Sequence, residues 1–94
     1  MRRPIRINDL HLSTGFLNQD DEKRKEILSN IMEQSFKVMK TTANIDHKAE
    51  VTTGLLERSI VVLESEEEYE ECQILKELLE VIPEVLENIK RKSV

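Results

Sequence analysis

The sequence predicts an all-α fold, a small bundle of about three helices over roughly residues 20–42, 46–64 and 65–90, preceded by an extended N-terminal arm over residues 1–19. Three observations carry this. Apolar residues recur at steps of three and four through most of the chain, the period of a helical face. A capping residue stands at the head of each apolar run, at Asp20 or Asp21, Asp46 and Ser65. The last run holds an unbroken heptad seam with acidic residues at its start and basic residues at its end.

The arm differs from the rest. Arg2, Arg3, Pro4 and Arg6 make it basic, and Ile5/Ile7 then Leu10/Leu12 alternate with polar residues at the period of an extended strand. Ser13-Thr14-Gly15 marks a turn, and Phe16-Leu17 forms an apolar anchor. Such an arm is expected to lie over the helices that make up the 20–94 domain.

In the first helix the acidic residues Asp21 and Glu22 suit the positive end of the helix dipole, with Leu17 stapling the entry from outside. Leu28, Ile31, Met32 and Met39, flanked by Ile27, Phe36 and Val38, form one broad face, and Thr41-Thr42-Ala43-Asn44 weakens the pattern to a stop. The second helix buries Ala49, Leu55, Leu56, Ile60, Val62 and Leu63. Its Val51-Thr52-Thr53-Gly54 stretch opposes helix, each residue costing up to ~1 kcal/mol relative to alanine, and Ile60-Val61-Val62-Leu63 also fits a short buried strand.

The third helix opens on a capping box, Ser65-Glu66-Glu67-Glu68. Its seam of Cys72, Leu75, Leu79, Ile82, Leu86 and Ile89 follows the a/d pattern, and Ile74, Leu78, Val81 and Val85 widen it beyond a two-stranded coil. That width suits a helix at the centre of a bundle, touching two neighbours. Pro83 removes one backbone donor, and because the seam continues past it in register, a kink is expected rather than a break.

Composition bounds the function. Ninety-four residues allow one domain, which buries only about 60–65% of its unfolded surface. Aromatics make up 3% and charged residues 35%, so a thin aliphatic core lies under a solvated surface, as in chains that gain stability from oligomerisation or a held partner. A net charge of −5 disfavours direct nucleic-acid binding. The lone Cys72 fits a reducing cytoplasm. No apolar run approaches the ~20 residues of a membrane span, and the start lacks a signal-peptide core. The chain reads as a cytoplasmic protein whose partners are itself and another protein, without membrane or nucleic acid.

No constellation points to catalysis or to a cofactor. His47 and Glu50 share a helical face but fall short of a metal set, which leaves a site completed by oligomerisation as the enzyme-class rival. His11 stands alone. Cys72 lies in the seam beside glutamates that oppose thiolate formation. The hydroxyls of Ser13, Thr14, Ser29 and Ser59 have no base partner or nucleophile-elbow sequence.

The acidic run Glu64, Glu66, Glu67, Glu68, Glu70 and Glu71, with Tyr69 in its middle, is the feature most open to a binding role. Glutamates in the first turns of a helix match its dipole, as Lys90-Arg91-Lys92 do at the far end, so helix physics accounts for much of the run. Two third helices lying antiparallel would also set these opposed charges together in a symmetric dimer. The leading expectation is therefore a non-enzymatic helical protein-protein interaction module acting through the seam, as a homo-oligomer or as a small regulator, adaptor or chaperone. Its alternative is an acidic decoy inhibitor that occupies a basic or nucleic-acid-binding site on a target, with Glu66, Glu67, Glu68, Tyr69, Glu70 and Glu71 as the binding surface.

Overall fold

The computed structural model of the chain describes residues 5–10, 12, 14–38 and 44–92. Three helices dominate it: α1 (Asp21–Val38), α2 (Ile45–Ser65) and α3 (Tyr69–Lys92). There is no strand among the described residues, and Ile60–Leu63 lie inside α2. The expected end of the first helix near residue 42, Met39 of its apolar face, His11, Ser13, Pro4 and the basic residues Arg2 and Arg3 fall outside the described residues.

α1 starts where its cap stands: Asp20 Oδ1 accepts from Lys23 N at 2.8 Å, and the Asp20 carbonyl accepts from Arg24 N. Leu28, Met32 and Phe36, one turn apart, are buried, and Ile27 and Ile31 are half-buried beside them, while Val38 is exposed. The anchor before α1 is Phe16, which is 3% exposed; Leu17, expected as the staple, is 46% exposed. Gly15 explains the difference, because its φ of +90° turns the chain so that Phe16 faces inward. The Arg24 guanidinium then lies 5.5 Å from the centre of the Phe16 ring.

α2 is capped by Asn44, not by Asp46 as expected: Asn44 Oδ1 accepts from His47 N at 2.9 Å. Asn44 is extended (φ −71°, ψ 168°) and stands three residues before the donor it satisfies, the geometry an N-cap needs. Helix runs through Val51-Thr52-Thr53-Gly54 in spite of propensity, with Thr52 buried. The buried row is Ala49, Thr52, Leu56, Ser59, Ile60 and Leu63. Val62, expected inside, is 40% exposed because at 3.6 residues per turn it falls to the side of the row that Leu56, Ile60 and Leu63 make.

α3 continues through Pro83 without a break. It is the central helix: α1 and α2 each pack along it and scarcely touch each other. Ion pairs give the directions. Arg24 with Glu77, Lys25 with Glu84 and Lys92 with Glu33 run in the same order along both chains, so α1 and α3 are parallel. Glu64 with Lys76 and Asp46 with Lys90 run in opposite order, so α2 and α3 are antiparallel. Ile74, Leu78, Val81 and Val85 are buried on the side of Glu77 and Glu84, which faces α1. Cys72, whose thiol donates to the Ile60 carbonyl at 3.6 Å, marks the α2 side.

The arm fills what the helices leave open. Its strand-like alternation does not make a strand; instead the chain turns at Ile7–Leu10 in a 3₁₀ helix, entered where Asp9 Oδ2 accepts from Arg6 N at 2.9 Å. Two short alternations have no neighbouring edge to pair with, and a local side-chain acceptor outcompetes them. Ile5, Leu10 and Leu12 are half-buried against the core, so the expected arm does lie over the helices. The radius of gyration, 13.5 Å, exceeds the ~12.4 Å of a compact domain of this length, as befits a flattened body of 42 × 34 × 18 Å.

Candidate interaction surface

The two surfaces singled out in the sequence meet different fates. Of the seam, Cys72, Leu75 and Ile82 are buried and Leu79, Leu86 and Ile89 are half-buried, all within the core of a single chain. A helix with α1 on one side and α2 on the other has no free apolar face for a second copy of itself. The basic end is likewise engaged: Lys90 pairs with Asp46 at 2.6 Å, Arg91 with Glu87 at 2.6 Å and Lys92 with Glu33 at 2.8 Å. Antiparallel pairing of two α3 helices through this seam would therefore require the bundle to open.

The acidic run stands at the corner between α2 and α3. The expected capping box is not made, because α2 continues through Ser65, whose hydroxyl donates back to the Val62 carbonyl at 2.6 Å. The helix then ends in a Schellman turn. Glu68 N donates to the Leu63 carbonyl at 2.9 Å and Glu67 N to the Glu64 carbonyl at 3.0 Å, with Glu67 in the left-handed region at φ 63°. α3 begins only at Tyr69, so Glu66, Glu67 and Glu68 lie outside it, and only Glu70 and Glu71 occupy its first turn. The helix dipole accounts for the last two and for Glu68, the N-cap whose carbonyl accepts from Cys72 N, and not for Glu66 and Glu67.

Exposure follows from this placement. Glu66, Glu67, Glu68 and Glu70 are exposed, and Tyr69 is 64% exposed instead of packing on the bundle edge. Val61 and Val62 are exposed in the last turns of α2, so apolar surface adjoins the carboxylates.

The corner is already in use by the arm. Arg6 Nη2 donates to Glu71 Oε1 at 3.3 Å, and the same guanidinium lies 3.7 Å from Glu66 and 4.0 Å from Glu68. The Glu71 hydrogen bond and the three negative charges raise the already high pKa of Arg6. One residue earlier, Ile5 N donates to Ser59 Oγ at 2.9 Å, while that hydroxyl donates to the Leu55 carbonyl. Glu71 Oε2 is buried with no partner among the described residues, leaving an acceptor beside Arg6 unsatisfied. In the sequence Arg6 stands out only as one of the arm's basic residues and Ser59 only as a hydroxyl without a base partner, and neither is expected at this corner. The one signal for them is charge, a basic arm and an acidic run in the same chain.

Elsewhere the structure assembles no reactive set. His47 and Glu50 are both exposed on α2, and no group of three potential metal ligands comes together among the described residues. Burial, then the charges of Glu64 and Glu71, push the Cys72 thiol up, away from the thiolate a nucleophile needs. The groove between α1 and α3, about 310 Å³, is lined by Asp21, Lys25, Gln73, Glu77, Glu80 and Val81; Glu77 there is paired with Arg24. No described helix is long and apolar enough to cross a membrane.

No protein-family model, curated protein or solved structure matches the chain.

Proposed function

We propose that this chain is a non-enzymatic helical interaction module, a homo-oligomer or a small regulator, adaptor or chaperone, and that it receives its partner at the acidic α2–α3 corner. The observation that supports this is the seat of Arg6. Glu66, Glu68 and Glu71 gather a guanidinium presented by an irregular, partly apolar segment, which is the chemistry of a basic protein partner. The surrounding Val61, Val62 and Tyr69 supply apolar area that such a partner would cover. A reducing cytoplasmic setting suits the single buried Cys72.

The test is retention of a protein partner from the native host by the wild-type chain and by a Glu66→Gln/Glu68→Gln/Glu71→Gln chain. The proposal expects a stoichiometric partner on the wild-type chain and its loss from the neutralised one. A partner held equally by both moves the site elsewhere, and a chain that is monomeric and retains nothing contradicts the proposal.

A second reading, the acidic decoy, is favoured by the position of Glu66 and Glu67 ahead of the α3 N-cap, where helix physics does not require them. Its mark is the degree of salt dependence: binding abolished at high ionic strength favours the decoy, and binding that weakens but is held by the apolar area of Val61, Val62 and Tyr69 favours the module.

A further inference from the structure

We propose that two copies of this chain associate by exchanging their arms, so that Ile5, Arg6, Leu10 and Leu12 of one copy seat on the body of the other. The inference rests on the reading above that the chain acts by association, and it names a second copy as the partner of the corner.

The arm's hold on the body is self-contained. Among the described residues it includes the Ile5 N–H on Ser59, Arg6 over Glu66, Glu68 and Glu71, and the packing of Ile5, Leu10 and Leu12. A neighbouring copy's arm makes the same contacts, so exchange loses none of them, and the resulting pair is reciprocal, as a two-fold dimer requires. The connection from Leu12 to the buried Phe16 has only three intervening residues, 13–15, and ends at Gly15 with φ +90°. So short a connection leaves the arm few ways to reach its own body, and a second copy's body then competes for it.

The length of that hinge also determines which faces meet. Four residue steps span at most ~14 Å, so exchange brings the two arm-bearing faces together. That face carries uncovered apolar surface. A groove of about 410 Å³ lies beside the arm, lined by Leu10, Ile31 and Val38 among polar residues. Val38 is 70% exposed and Leu17, next to the anchor, 46%. Covering these side chains gives the pair a gain that the closed monomer lacks.

Charge reversal tests the exchange. One chain carries Arg6→Glu, and another carries Glu68→Lys/Glu71→Lys. In either chain alone the arm and the corner repel. In an arm-exchanged mixed pair both contacts are attractive, Glu on Lys and Arg on Glu. Light scattering is expected to give the single-chain mass of 11.0 kDa for each variant and twice that mass for the mixture, with association roughly tenfold tighter than either variant with itself. A mixture that stays at the single-chain mass overturns the proposal, and so does either variant pairing with itself as tightly as the mixture. Should the lysine chain fail to fold by circular dichroism, Glu66→Lys/Glu68→Lys, at two exposed positions, makes the same reversal. A chain that retains a different basic partner yet never exchanges arms refutes this inference and leaves the proposed function standing.

Discussion

Replacing Glu67 by glycine is expected to stabilise the fold. Glu67 is the C′ residue of the α2 Schellman turn and, among the described residues, the only non-glycine with positive φ, at 63°. A side chain there crowds the following carbonyl, at a cost of about 1–2 kcal/mol, and glycine removes that cost. Against it, glycine adds about 0.4–1 kcal/mol of unfolded-chain entropy to be lost on folding. The difference leaves a net gain of about 0–1.6 kcal/mol, centred on ~0.8, which in a domain of this size raises Tm by roughly 3–6 °C at the centre of that range. Thermal unfolding followed by circular dichroism measures it, with Glu67→Ala as the control that removes the carboxylate and keeps the strain. Relief of charge crowding alone would raise both variants equally, so the glycine must exceed the alanine. A fall in Tm for Glu67→Gly would refute the reasoning, meaning either that the turn is not left-handed or that the carboxylate holds the corner together. If the strain is kept for binding, the stabilised chain should also retain its partner less well.

Other outcomes follow from the same packing. Leu78, 1% exposed between α3 and its neighbours, should cost about 2–5 kcal/mol as Leu78→Ala, enough to unfold much of so small a domain, as urea denaturation would show. Lys92 holds Glu33 below the ordinary carboxylate range, chiefly through their hydrogen bond. That stabilisation is present above the unfolded-state carboxylate pKa and is lost as pH falls through the lower folded value, so Lys92→Ala should lower Tm at neutral pH and flatten the acid limb of a Tm-versus-pH curve, bringing the two chains together at the acid end. Cys72 should resist alkylation in the folded chain and react at once in denaturant, because burial favours its neutral thiol; rapid labelling without denaturant would place it at the surface.

How much of this was legible depended on what kind of force decides each feature. The helices announced themselves because burial imposes a period, and the width of the α3 face correctly marked a helix between two neighbours. Cap positions were legible only to within a residue or two. Asn44 and Asp46 are both able caps, and the choice rests on backbone angles, as does the loss of the Ser65–Glu68 box to a turn at Glu67. The inward place of Ser59 runs against hydrophobicity, and it makes sense once Ile5 N is seen to use the hydroxyl. The same long-range contact converts the acidic run from a dipole-matched helix start into a seat for Arg6. Nothing local in residues 64–71 reveals that partner, 60 or more positions away in the chain.

The most direct test of that seat is a titration. A synthetic peptide carrying residues 1–14 is added to the Arg6→Glu chain, whose own arm no longer suits the corner, with heat of binding as the readout. The account predicts saturable binding that weakens with salt, is weaker for the wild-type chain whose arm competes, and disappears when Glu66, Glu68 and Glu71 are changed to glutamine. Equal binding to all three chains, or none to the Arg6→Glu chain, would contradict the claim that the acidic corner is built to receive an arginine-bearing segment.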